Sequence, residues 1–331
     1  MTSIRKSSRH LRIDLMSEEK RKIIIDTDCG SDDAMAIAMA LNDERYEVIM
    51  LTTVSGNVRL KQATYNALTT LKVTDSYYPP VYMGCDEMLV RDWVGSAETH
   101  GEDGMGDLGL VDYDLKPAEG NAVIKMLEAL RDNPEKTIDI IALGPLTNLA
   151  VAIRLDPETM KRVRRILVMG TAGLGTGNVS PVAEFNIWQD AEACKVVLKS
   201  GIDPLIFVGW DACLDDAMLT PDEIRMIRES GPLGGFCIDS NVVLMEMNKG
   251  RFGDYYLDMA DPSAMAAALY PECIDKCDKY YCEVDTGEGP SYGGVLVDFY
   301  HFSGKEPNAY ICSKLKPEIY KEYMYRTLKV R

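Results

Sequence analysis

Apolar residues along the chain follow two alternating patterns. Short β-branched runs with little polar alternation (KIII from Lys22, then YEVIMLTTV, TIDIIAL, RILVMG and PLIFVG) are separated by stretches of helical periodicity: DDAMAIAMAL, LKQATYNALTTLK, PLTNLAVAIRL and DAEACKVVLKSG. Strand–helix alternation predicts an α/β fold with a doubly wound, mainly parallel open sheet of the Rossmann-like kind. Runs that are apolar at nearly every position fit strands covered by helices on both faces. Residues 215–260 read mainly as helix, and CDKYYCEVD, GGVLVDFY and NAYIC read as late strands before a terminal helix. In such sheets ligands bind beyond the carboxyl ends of the strands, so the loops there are where chemistry is sought.

Composition narrows the classes. With 331 residues, 46% of them hydrophobic and 27% charged, the chain can bury a sizeable core. No repeat or low-complexity linker interrupts residues 22–331, which read as one catalytic domain. Residues 1–22 carry seven Lys/Arg against three Asp/Glu in a chain whose net charge is −16, so residues 1–21 read as a flexible N-terminal extension, with Met16 a second candidate start. No apolar run approaches the roughly 20 residues of a membrane span, and the N-terminus has no apolar h-region, so a cytoplasmic location is expected. The excess of 52 acidic over 36 basic residues excludes nucleic acid or an anionic membrane as the main partner and favours a cation or a neutral polar ligand. Nine cysteines suit reduced thiols; Cys273, Cys277 and Cys282 lie close in sequence but lack a fourth ligand at zinc spacing and are assigned no function.

The first strand runs into Asp26-Thr27-Asp28-Cys29-Gly30-Ser31-Asp32-Asp33, four carboxylates within eight residues where strand turns into helix. Helix capping, with Ser31 or Asp32 as N-cap and Asp33 in the first turn, accounts for one or two of them. Four mutually repelling carboxylates call for a hard divalent cation. An EF-hand loop counted from Asp26 would place Ser31 at the obligatory glycine and Ile37 at the bidentate glutamate, so that loop is excluded and further ligands must come from elsewhere. The glycine-rich segment Gly170–Gly177 lacks the lysine and the spacing of a phosphate loop. Further strand ends contribute Ser55-Gly56-Asn57, Gly144-Pro145-Leu146-Thr147-Asn148 and the span from Asn178 to Asn186. Together they put amides and carboxylates along one sheet edge, which suits a polyhydroxylated ligand such as a sugar.

DTDCGSDDA, TVSGN, HGEDGMG, ALGPLTNLA, GNVSPVAEFNIWQDAEA and MADPSA, in that order, resemble the nucleoside hydrolase (nucleoside N-ribohydrolase) family from about Lys22 to the C-terminal helix. The resemblance implies hydrolysis of the N-glycosidic bond of ribonucleosides to ribose and free base. It implies a Ca2+ held by Asp28, Asp33, the Thr147 carbonyl and Asp261, with water and two ribose hydroxyls completing the shell. Asp28 would be the general base on the metal-bound water, Asp32, Asn178, Glu184 and Asn186 would hold the ribose hydroxyls with Asn57 close by, and Asp26 would stand behind them. Homodimers or homotetramers are implied too.

The chain departs from the family where the leaving base would be helped. Ala260 precedes Asp261 where many members carry His and some purine-preferring ones Trp. His100 matches another family His lining the site and is expected to contact the leaving base. Trp93, Tyr255 and Tyr256 are further candidates, since an aromatic stacked on a purine raises its basicity without a protein acid. Purine preference is the resulting expectation, because a pyrimidine offers no equivalent ring nitrogen. Two other classes fit parts of the pattern. A Mg2+-dependent phosphatase opens with a similar DxD, but basic residues for a phosphate are missing near the motif. A non-catalytic ribose- or nucleoside-binding homologue would explain Ala260.

Overall fold

The apolar runs become strands in the computed structural model, which describes residues 20–330. Nearly all of the expected extension 1–21 therefore lies outside the described residues. The strands are β1 (Arg21–Thr27), β2 (Tyr46–Thr53), β3 (Val81–Met83), β4 (Ile138–Ala142), β5 (Arg165–Met169), β6 (Leu205–Val208), β7 (Ile274–Tyr280), β8 (Cys282–Val284), β9 (Val295–Val297) and β10 (Ala309–Leu315). Eight of them form one sheet in the order β3-β2-β1-β4-β5-β6-β10-β7; β8 and β9 pair separately. All neighbours in the large sheet are parallel except β7, which runs antiparallel to β10. The expected mainly parallel α/β sheet is thus present, and the order turns from β1 outwards in both directions, as in doubly wound folds.

Period-two alternation divides the apolar side chains between two cores. Ile23, Ile25, Leu51, Ile141 and Leu167 point to one face, under the helices Ser31–Asn42, Leu60–Thr74, Ala260–Leu269 and Pro317–Thr327. Ile24, Met50, Ile140, Ile166 and Phe207 point to the other, under Ala122–Asp132, Thr147–Leu155 and Ala191–Leu198. Burying one such side chain is worth about 1.5–3 kcal/mol, so both faces of β1 contribute to stability. Among the described residues no helix is long and apolar enough to cross a membrane.

Two helices matter most for the site. Ser31–Asn42 and Ala260–Leu269 are rich in alanine, buried almost throughout, and packed on each other. Small side chains let their backbones approach, which brings Asp32 and Asp33 of one helix against Asp261 of the other. The first helix is capped one residue earlier than the sequence suggests. Gly30, not Ser31 or Asp32, is the N-cap, and Asp33 reaches back to accept the Gly30 N–H at 2.8 Å.

Candidate active site

The turn after β1 holds its acids in place through backbone and hydroxyl donors. Asp26 accepts from Thr52 Oγ1 at 2.5 Å and from Asn148 Nδ2 at 2.8 Å. Asp33 accepts from Thr27 Oγ1 as well as from Gly30. Asp28 accepts the Asn57 N–H on Oδ2 at 2.6 Å, while its Oδ1 is buried without a partner, as is Asp26 Oδ2. A Cβ on Gly144 would come within 2.8 Å of Asp28 Oδ1, and one on Gly56 would collide with Oδ2, so these two glycines let the loops after β4 and β2 close around that carboxylate.

Asp32, Asp33 and Asp261 each offer a carboxylate oxygen within 4.8 Å of the others, and all three are buried. Burial, and next to it the charge of a neighbouring aspartate, raises Asp28, Asp33 and Asp261; Asp33 is pushed up to about 7. Asp26 is pushed up to about 7 by burial alone, against the pull of its two donors. Among the described residues no Lys or Arg forms an ion pair with any of these acids; His100, 3.9 Å from Asp32, is the one basic neighbour. Buried carboxylates facing one another, with two oxygens left unbonded and no counter-charge, fit a divalent cation. Thr147, whose carbonyl is the remaining expected ligand, heads its helix with its hydroxyl donating to Asp190 Oδ2 at 2.7 Å; like Asp28 and Asp33 it is not among the residues that line the cleft.

Above the acids opens a cleft of about 230 Å³. Asp32, Asp261 and Asn57 line it; the Asn57 Oδ1 is fixed by Ser96 Oγ at 2.8 Å. Asn178, Glu184 and Asn186 reach the same cleft from the loop after β5. Asn178 accepts the Phe185 N–H, and Asn186 donates to the Leu143 carbonyl at 2.6 Å. Glu184 caps the helix Phe185–Gln189, accepting from the Asn186 and Ile187 N–H groups and from Thr171, yet burial outweighs those donors and pushes it up to about 7. The glycine-rich Gly170–Gly177 loop spends its N–H groups inside the protein: Thr171 on Glu184, Gly173 on Thr171 Oγ1, Leu174 on Asp211.

His100 lines the cleft as expected. Asn241 donates through Nδ2 to the carbonyls of Ser31 and Cys237, so its Oδ1 accepts the Ser31 hydroxyl proton at 2.8 Å. The Ser31 hydroxyl lies 2.7 Å from His100 Nδ1, and the Ser31 N–H reaches the same nitrogen at 3.4 Å, so this turn fixes the orientation of the ring. Burial also holds the ring below its ordinary range.

The aromatic candidates fall elsewhere. Trp93 donates its indole N–H to Gly56 O at 2.8 Å under the Arg59 guanidinium, Tyr255 takes Lys249 Nζ on its hydroxyl, and neither they nor Tyr256 line the cleft. The cleft is instead walled by Trp210, Leu244, Met247, Arg251 and Asp258, together with Ala260. Trp210 follows β6 directly, at a strand end like the other loops, and that position was the signal available in the sequence.

The family described as inosine-uridine preferring nucleoside hydrolase matches residues 23–322. The pyrimidine-specific ribonucleoside hydrolase RihB of Escherichia coli (strain SE11) is 35% identical over 294 residues, 88% of this chain and 91% of that protein. A plant nucleoside hydrolase structure, the PpNRh1 enzyme, is 29% identical with a TM-score of 0.86, covering 95% of this chain and all of that one. The purine-preferring ribonucleoside hydrolase from Gardnerella vaginalis is 27% identical with a TM-score of 0.84, covering 94% and 99%.

Proposed function

The chain belongs to the nucleoside hydrolase family and is a ribonucleoside N-glycosyl hydrolase, and from that premise we propose that it works with Ca2+ held at the end of β1 and prefers purine ribonucleosides. The observation that carries the metal is the set of buried acids, Asp28 and Asp33 with Asp261, that have no basic partner and leave the Asp28 Oδ1 unbonded. Asp28, Asp33, Asp261 and the Thr147 carbonyl would hold the ion. When bound, the cation acidifies a water and draws two ribose hydroxyls into register.

The remaining chemistry falls to the chain's own residues. Asp28 takes the proton of the attacking water. Asp32, Asn178, Glu184 and Asn186 grip the ribose hydroxyls, with Asn57 beside them; these contacts strengthen as the sugar flattens towards an oxocarbenium ion, and the acids favour its positive charge. His100 contacts the departing base. Ala260 offers no acid where a pyrimidine would need one, while Trp210 gives the cleft an aromatic wall suited to a purine. The test is release of free ribose from a panel of ribonucleosides with and without chelator. Chelator-sensitive turnover, faster with inosine or guanosine than with uridine, is the expected result. Ribose release untouched by chelation would overturn the metal, and a preference for uridine would overturn the base assignment.

A further inference from the structure

Hydrolysis of an N-glycosidic bond leaves the bond electrons on the base, which departs far more readily once protonated. Ala260 cannot supply that proton, and His100 is engaged at Nδ1 by the Ser31 hydroxyl at 2.7 Å. Two residues before Ala260, Asp258 lines the cleft wall beside Trp210. It is 6% exposed, as little as Asp32 and His100 at 7% each, so it too is buried except where it meets the cleft.

Its carboxyl is held by two neutral donors. Trp210 Nε1 donates to Oδ2 at 3.0 Å and Asn248 Nδ2 to Oδ1 at 2.6 Å. Asn248 is itself fixed by donating to the Tyr256 carbonyl at 3.1 Å. The Arg251 guanidinium lies 5.8 Å from the Trp210 ring centroid, at the same end of the cleft.

We propose that Asp258 is the proton donor to the leaving base, resting on the assignment of Asp32, Asn178, Glu184 and Asn186 to the ribose. As the C1′–N bond breaks, its electron pair stays on the base; the Asp258 O–H bond breaks and its proton passes to a basic ring nitrogen. On the other face a water oxygen bonds to C1′ and its proton passes to Asp28. One water is consumed, Asp28 ends protonated and Asp258 ionised, and exchange with solvent restores both. Burial holds the Asp258 carboxyl above its ordinary range before transfer, and the Trp210 and Asn248 N–H groups receive the carboxylate that forms.

The experiment compares Asp258→Asn with the wild-type, calcium-loaded full chain on two substrates: inosine, and 4-nitrophenyl β-D-ribofuranoside, whose leaving group departs as a stable anion without a proton. The expected result is a loss in kcat of about 10²–10⁴ on inosine with little change in KM, and aryl riboside turnover within about threefold of wild type. Trp210→Phe, which removes one donor and keeps the ring, should lose about tenfold more on inosine than on the aryl riboside. Equal losses on both substrates would make Asp258 structural, and undiminished inosine turnover would make it a bystander; either overturns the proposal. A wild-type enzyme that releases ribose from neither substrate would instead overturn the ribose assignment on which it rests.

Discussion

Replacing Glu184 by Gln should make the protein more stable at neutral pH and less active. Burial lifts the Glu184 carboxyl from its ordinary 4.5 to about 7, despite three backbone N–H groups aimed at it. The folded protein therefore keeps a proton that the unfolded chain gives up. The stability this proton confers is full below about pH 4.5 and is lost as pH rises to about 7; beyond that nothing more changes. A shift of roughly 2.5 units at about 1.4 kcal/mol per unit is on the order of 3 kcal/mol. Gln resembles the protonated acid in shape and cannot ionise, though its single oxygen can serve either the Asn186 N–H, now on Oε1, or the Thr171 and Ile187 N–H groups, now on Oε2. Urea unfolding of wild type and Glu184→Gln in the same chelating buffer should give nearly equal stabilities near pH 4.5, apart from about 1 kcal/mol for a weaker cap. By about pH 8 the variant should lead by about 2–3 kcal/mol, and its nucleoside turnover should fall because a ribose contact is lost. Parallel stability profiles for the two proteins across this range would refute the burial reasoning.

Other outcomes follow from the same site. Asp28→Asn should lower kcat by at least about 10²–10⁴ and further than Glu184→Gln, since one residue both binds the cation and takes the proton; similar kcat values in the two variants would break that assignment. Inosine should be favoured over 2′-deoxyinosine by up to about 10⁴–10⁵, because Asp32, Asn186 and the cation would be left unpaired; equal kcat/KM would show those residues misassigned. Calcium at about a hundred times its Kd should stabilise the chelated protein by about 2.7 kcal/mol, seen as a rise in Tm; no bound divalent ion in saturating calcium and an unmoved Tm would remove the cage. Inosine should outpace uridine, and the difference should shrink in Trp210→Ala; a wild type faster on uridine would reverse the preference.

The fold and half of the cleft are legible in the sequence for the same reason. A parallel strand covered on both faces must be apolar throughout, so Ile23, Ile24 and Ile25 announce β1, and the polar residues that follow announce the sheet edge where ligands bind. Asp26, Asp28, Asp32 and Asp33 are consecutive enough for their repulsion to be read directly. Asp261 is different, because it and its neighbours Asp254 and Asp258 are spread along a segment with no strand-to-helix turn to gather them. Only the packing of two alanine-rich helices sets it against Asp32 and Asp33, and the family resemblance had to stand in for that packing. The N-cap at Gly30 was hidden because a side chain reaching back from Asp33 does the capping that Ser31 might have done.

The base end was hidden more thoroughly. Trp93 and Tyr255 looked available because each is a large aromatic near a recognisable motif, but Gly56 and Lys249 already hold their polar atoms and neither ring meets the cleft. Trp210, Asn248 and Asp258 come from three separate segments, each with an ordinary meaning in isolation: a tryptophan in a core, an amide in a helix, an acid before a turn. Their meaning lies in the two hydrogen bonds that join them. Carboxylates that must gather around an ion can be packed into one strand-to-helix turn, because the ion tolerates their mutual repulsion. A carboxyl that must keep its proton has to be placed away from that cluster among neutral donors, and in a doubly wound fold such a place is reached by residues distant in sequence. The acid cluster and Asp258 therefore differ in legibility because they differ in the charge state each has to hold.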